Sequence, residues 1–267
     1  MKAELFTSVM KTIGSTQDET IRTAINSALD TINAKANQNA ETTINNALDA
    51  FSQAKSAHTE NMLKLNDIEA AITRSEKERQ NALNESAEAE QNWRARFREL
   101  RGMVTPELKA EHGQRVAGRE LAEEFTALID ELNDDKARTM LAACTSGKEY
   151  VSAHSDVFSA YARNEWAVVM KDIPPALVRA FALRLRELEI KGEEHPHTIL
   201  IQELGENVLT QSRYYAFNME HEPVISLIGL HRPALTGVDM KLYKSPAQRM
   251  LRAKELAQQK QPQGVKP

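Results

Sequence analysis

Between Ser15 and Arg101 the chain runs 87 residues without a glycine or a proline. Apolar positions in this stretch are sparse and fall three or four apart: Ile44, Leu48 and Phe51, then Met62 and Leu65, then Ile72. That rhythm predicts a helix with a narrow apolar seam of the coiled-coil type, interrupted at Lys55, His58 and Glu69. From Glu76 to Glu90 acidic and basic residues alternate, as on a solvated helix face. Strands need turn residues between them, and catalytic loops usually need glycine or proline, so neither fits. Wholly helical, the stretch would be about 130 Å long at 1.5 Å per residue. The pattern therefore predicts an elongated all-α protein of long helices and helical hairpins that presents long surfaces to other proteins.

The first part of this stretch nearly repeats itself. Thr23-Ala-Ile-Asn-Ser-Ala-Leu-Asp30 recurs as Thr42-Thr-Ile-Asn-Asn-Ala-Leu-Asp49, an offset of 19 residues. On a straight helix the copies would face about 100° apart. The polar run Asn33 to Thr43 between them offers only alanine to a stripe, so it is either a hinge or hairpin, or the repeat is chance similarity.

Beyond Gly102 the pattern restarts. Thr105-Pro106-Glu107 reads as N-cap, proline at the first helical position and an acid in the first turn. The helix it opens carries Leu108, Leu121, Phe125, Leu128 and Leu132, and is expected to pause near Gly147 before resuming through Val151, Phe158, Tyr161 and Val169. Pro174-Pro175 forces a new start. An amphipathic helix over Ala176 to Lys191, capped by Gly192, is expected next, then one from about His197 to His221. Pro223 to Leu230 is the one segment expected to be extended. Ser245-Pro246 opens a last helix to about Lys260, followed by a tail, 261–267, expected to be disordered. The organisation expected is thus a helical extension at 1–43, a long-helix strut at 44–172, a helical assembly region at 173–260 and the tail.

Composition agrees with this picture. Hydrophobic content is 41% and aromatic content 5%, which suits long helices with narrow stripes. The formal charge of −4 disfavours nucleic acid as a dedicated partner. The single cysteine, Cys144, fits a reducing compartment. No membrane is expected as a partner, since no window reaches the roughly 18 apolar residues a span needs, and Met1 to Met10 does not read as a secretory signal. The expectation is a soluble intracellular protein.

Candidate chemistry is thin. There is no phosphate loop, serine elbow or cysteine pair, so no enzyme, no cofactor and no metal is expected. Glu194-His195-Pro196-His197 has a metal-like spacing but reads as a polar connector. His112 and His154 read as packing or surface residues, and Cys144 as a small hydrophobe. The most pointed constellation is Trp93-Arg94-Ala95-Arg96-Phe97-Arg98-Glu99-Leu100-Arg101. Its arginines and aromatics suit a core anchor with a basic rim, a protein contact, or stacking on single-stranded nucleic acid. At the other end, residues 241–267 carry a local surplus of +6, which leaves −10 on the rest of a chain of charge −4. A basic tail on an acidic body suits self-association or docking on an acidic surface.

These residues carry a family resemblance. Trp93-Arg94, Phe97-Arg98, Glu107-Leu-Lys109, Arg115-Val-Ala117 and Arg119-Glu-Leu121 resemble the capsid size determination (Sid) proteins of satellite phages. The likeness continues through Ala143-Cys144, Tyr150, His154, Tyr161-Ala162, Ala176-Leu-Val-Arg-Ala180, Glu222-Pro-Val224, Gly229-Leu230 and Pro246-Ala-Gln-Arg249. It is an ordered series over roughly residues 45 to 260 rather than one diagnostic motif, and nothing carries over to the first 40 or so residues. Ser245-Pro-Ala-Gln248 also resembles the end of the polarity suppression proteins, which decorate capsids and inhibit the transcription terminator Rho.

The resemblance implies an external scaffold, without catalysis, whose copies assemble into an open cage around the helper phage's major capsid protein and force a smaller icosahedral shell. The implied partners are that capsid protein and further copies of the chain itself. The implied place is the outer surface of the procapsid in the host bacterial cytoplasm. Under this reading capsid contact is assigned to Trp93, Arg94, Phe97 and Arg98. Self-assembly is assigned to Tyr243, Arg249, Met250, Leu251 and Arg252 and to the 176–191 helix.

Overall fold

A computed structural model describes residues 19–259. They form α1 (Glu19–Glu99), α2 (Pro106–Lys171), α3 (Pro175–Ile190), α4 (Pro196–Arg213), a 3-10 turn (Met219–His221), α5 (Pro223–Ile228), α6 (Met240–Lys244) and α7 (Pro246–Gln259). No strand occurs among the described residues, and the fold is all-α. The expected tail at 261–267 and the first part of the expected 1–43 extension lie outside them.

The chain divides into two compact units, each discontinuous in sequence. One comprises the residues up to Phe51 with Ala153–Arg232; the other comprises Ser52–Ser152 with the residues from Pro233 on. Each takes a segment of α1 and a segment of α2.

α1 is continuous for 81 residues. Of the two readings of Asn33 to Thr43, the hinge or hairpin does not form: nothing there breaks a helix, and the hydroxyls of Thr42 and Thr43 donate back to the carbonyls four residues earlier, both at 2.8 Å. The buried row along α1 is Ile44, Phe51, His58 and Leu65, then Ser75, Ala82 and Ser86. The first four recur every seventh residue, so His58 fills a seam position instead of interrupting it. α1 ends where Arg101 (φ 49°) and Gly102 (φ 85°) turn left-handed, with Gly102 N–H donating to the Phe97 carbonyl at 3.0 Å.

α2 opens as its sequence requires. Thr105 Oγ1 accepts from Leu108 N–H at 3.3 Å, with Pro106 in the first turn. It then runs 66 residues, straight through the expected pause at Gly147. That glycine serves packing instead: a Cβ there would stand 3.3 Å from both His58 and Leu235.

In the second unit, α1 and α2 form an antiparallel hairpin, its pairs stepping down one helix as they step up the other. Arg96 meets Glu111 at 2.8 Å, Ser86 Oγ donates to the Arg115 carbonyl at 2.9 Å, and Lys136 meets Glu69 at 3.0 Å. Small residues let the helices close: a Cβ on Gly118 would lie 3.1 Å from the Ala82 carbonyl oxygen and the Ser86 Cβ. Farther down, His58 Nδ1 and Asn61 Nδ2 meet Ser146 Oγ at 3.2 and 3.1 Å, and His58 stacks on Tyr150. Cys144 is fully buried in a core with Val238 and Tyr243, against Met62, Met140, Leu235 and Leu242.

In the first unit, the segment expected to be extended, Pro223 to Leu230, is mostly the helix α5. Pro223 sits at its first position, and Val224, Ile225 and Ile228 are buried. These positions have helical spacing, and Gly229 (φ 82°) stops the helix. Tyr161 Oη donates to Glu222 at 2.8 Å, and the buried His154 meets the Gly229 carbonyl at 3.2 Å and lies against Phe51 and Phe158. α4 ends at Arg213, short of the expected His221. α3 ends in a paired cap, with Gly192 N–H donating to Glu189 and Glu193 N–H to Leu188.

Candidate functional site

Two surfaces of the second unit, and one of the first, hold the residues singled out above. At the end of the α1–α2 hairpin, Trp93 is half-buried and engaged on several sides. Phe97 stacks on it at 5.2 Å between centroids, His112 tilts against it at 5.7 Å, and the Arg115 guanidinium lies 5.2 Å from its ring centre. The constellation is therefore an anchor across the hairpin with a basic rim. Arg94 pairs with Glu90 and Arg96 with Glu111. Arg98 is exposed and in no ion pair among the described residues. Trp93, Phe97, Val104, Leu108, Lys109 and His112 line a groove of about 240 Å³. Met103 and Val104 stand exposed beside it. The sequence pattern does not connect Met103, Val104, Lys109, His112 and Arg115 with Trp93, because only the turn at Gly102 brings the two helices together there.

The C-terminal group divides. Tyr243, expected at a self-contact, is 7% exposed and part of the core with Cys144, with the Lys148 ammonium over its ring. Its side chain is thus spent inside the chain. Arg249 turns inward too: its Nη1 donates to the carbonyls of Leu242 at 2.7 Å and Tyr243 at 2.8 Å, closing the C-terminal end of α6. Met250 and Leu251 are 64% and 61% exposed, and Arg252 pairs with the exposed Glu255 on its own helix at 3.0 Å. Met250 and Leu251 are the large apolar side chains that α7 leaves in solvent, with Arg252 partly exposed. Burial pushes the Cys144 thiol up, in keeping with a packing role.

In the first unit, α3 and α4 form a short hairpin that buries only Leu188 and Leu200 along its length. Leu177, Val178, Leu183, Ile190, Ile201 and Val208 are left exposed. Ion pairs brace it: Arg184 grips Glu203 at 2.6 and 3.2 Å and Glu187 at 2.7 Å, while Lys191 also holds Glu187 at 2.7 Å. Lys191 and Arg184 hold the Glu187 carboxyl down to about 2. His195 and His197, the metal-like pair, are exposed at the start of α4. No group of side chains among the described residues could hold a metal ion, and no described helix is long and apolar enough to cross a membrane.

Comparison with known proteins gives this arrangement a context. No family model matches the chain. Among curated proteins, Glycoprotein 3 of Enterobacteria phage P4 is 29% identical over 215 residues, covering 78% of this chain and 88% of that protein. Among solved structures, a chain of the satellite phage P4 procapsid including size determination (Sid) protein superposes with a TM-score of 0.70 at 29% identity. That match covers 80% of this chain and 94% of the other. In sequence and in fold the chain is thus similar to proteins of a satellite phage and its procapsid, in line with the resemblance its own residues carry.

Proposed function

We propose that this chain is an external scaffold which assembles with copies of itself around a helper phage's major capsid protein and redirects assembly to a smaller icosahedral shell. The observation that carries the reading is the joint match in sequence and fold, over most of both chains, to a protein of a satellite phage procapsid. The work is geometric. Helices fix the spacing between contact points, so the shell closes only at higher curvature, and no bond is made or broken. The protein acts on the outer surface of the procapsid, in the host cytoplasm.

Two kinds of contact serve this function. Self-contact falls on the 173–260 region, through the exposed apolar residues of α3 and α4 and through Met250, Leu251 and Arg252 on α7. Two short helices that bury only Leu188 and Leu200 have little core of their own, and a second copy would supply the missing apolar cover. Capsid contact falls on the 44–172 strut, at Trp93, Arg94, Phe97 and Arg98. Each contact need only be weak, because a subunit held at one point meets the next at high effective concentration.

The test is co-expression with a helper's major capsid protein, internal scaffold and maturation protease, followed by electron microscopy of the shells. Uniformly small shells inside an outer lattice are expected. Shells of normal size that contain this protein as isolated knobs would overturn the reading in favour of decoration.

A further inference from the structure

The groove at the end of the α1–α2 hairpin has a chemistry of its own. Its volume of about 240 Å³ is below the usual range for a small-molecule or cofactor site, and suits one or two side chains. The walls are apolar and aromatic, with Leu108 buried as the floor at 1% exposure and Phe97 and Val104 partly open to solvent. They are also rigid, since Trp93 is fastened by Phe97, His112 and Arg115. A wall held this way loses little freedom when it is covered.

The segment that forms the groove is rich in unspent cations: Lys109 lines the groove itself, and Arg98 adjoins Phe97 in sequence. Between Trp93 and Lys109 there are five cations and two carboxylates. Arg94 and Arg96 are matched by Glu90 and Glu111, whereas Arg98, Arg101 and Lys109 enter no ion pair among the described residues. An aliphatic side chain would fill the groove, and carboxylates on either side of it would meet the free cations. A stacked nucleobase fits less well. The Trp93 ring already has three partners, and a base would have to displace one of them.

We propose that this groove docks an acidic protein segment, which inserts one aliphatic side chain between Phe97 and Val104 and pairs its flanking carboxylates with Arg98, Arg101 and Lys109. The proposal rests on the capsid-contact assignment made above for Trp93, Arg94, Phe97 and Arg98, and adds the chemistry of the partner. It is tested on the isolated full chain with no capsid present. A library of random dodecapeptides is selected against the wild type. The selected peptides are then measured on Arg98→Glu/Lys109→Glu, and separately on Phe97→Ala, after circular dichroism has shown both variants to be folded. The expected peptides carry two or more Asp or Glu within three residues of Leu, Ile or Met. They should bind the wild type at least tenfold more tightly than either variant and weaken as salt rises. No enrichment, neutral or basic peptides, or peptides indifferent to both variants would overturn the proposal. So would an oligothymidylate that binds the wild type more tightly than the selected peptides do. Acidic peptides found alongside shells of normal size would keep this site and sink the size-determination reading. Small shells without such peptides would do the reverse.

Discussion

The hairpin of α1 and α2 in the second unit and the hairpin of α3 and α4 in the first are both paired helices joined by a short turn, yet they use their residues in opposite ways. The first brings its helices together on small and polar residues, Ser75, Ala82, Ser86, Gly118 and Ser146, and hides Leu65 and Leu108 almost completely. The second buries Leu188 and Leu200 and leaves Val178, Leu183, Ile190 and Ile201 more than half exposed. The α1–α2 pair seals a continuous seam along its length, although Leu63, Leu83, Leu121 and Leu128 outside that seam are 41–59% exposed. The α3–α4 pair is held by an Arg184–Glu203 clamp and leaves most of its apolar residues in solvent. Total apolar content therefore says little about where a helical protein makes its contacts. What separates the two hairpins is how much each buries against the paired helix, a continuous seam in one and two leucines in the other.

The comparison breaks most visibly at Leu65. It is 2% exposed, so Leu65→Ala should cost about 2–5 kcal/mol, read as a lower urea midpoint. Leu183→Ala, at a side chain 57% exposed, should stay within about 0.5 kcal/mol of wild type. Equal losses at the two sites would show that the α3–α4 hairpin hides more than its exposures imply. The complementary experiment replaces Val178 and Ile201 with Glu. The folded chain should tolerate both changes, because the side chains already face water. Self-association measured by sedimentation should fall at least tenfold, about 1.4 kcal/mol. A double variant that associates normally would remove this hairpin from the assembly.

A smaller effect separates the two arginines of α7. Arg249 closes α6 through two main-chain carbonyls, so Arg249→Ala should lower the stability of the second unit by about 1–2 kcal/mol. Arg252→Glu meets only an exposed helix neighbour, so it should leave stability unchanged while weakening assembly. Thermal melts run beside sedimentation distinguish the two. If Arg249→Ala melts like wild type and loses only assembly, its place in the sequence reading is restored.

How much of this was legible beforehand follows from how each feature is encoded. The helices, the Thr105 cap and the Pro246 start are written locally, in turn residues and capping side chains, and a linear reading finds them. The burial of His58 was not legible, because a histidine in an apolar row looks like a break until Ser146, far away in sequence, arrives to meet its ring nitrogen. Gly147 read as a pause for the same reason: the value of a missing Cβ depends on what passes close by. Pro223 to Leu230 misled because a short apolar run has no clear period, and Val224, Ile225 and Ile228 suit a strand or one helical turn equally well. Within the candidate site, Trp93 and Phe97 stood out by composition. Tyr243 could not be told from an interface residue, because its burial depends on Cys144 and Val238.

Acid sharpens the comparison with the gentlest perturbation. Burial lowers the pKa of His58 below its ordinary 6.5, against a weaker raising effect of the Ala143 backbone. The unfolded chain therefore takes up this proton more readily than the folded one. Stability owed to neutral His58 is complete above pH 6.5 and is lost as the pH falls through the lower folded value. The partners around the ring, Ser146, Asn61 and Tyr150, include no carboxylate that could hold the charged form. The α3–α4 clamp behaves differently over the same range. Glu187 stays ionised down to about 2, and Arg184 lowers Glu203 as well, so its ion pairs persist. Hydrogen exchange followed from pH 7.5 to 5.5, corrected for the intrinsic rate, should lose protection around 55–62 and 143–150 before it does so in 175–213. His58→Gln should flatten that loss while leaving the α3–α4 hairpin as it was. If both hairpins lose protection together, or if His58→Gln keeps the full pH slope, the buried node is not what distinguishes them, and the difference must lie in their apolar packing alone.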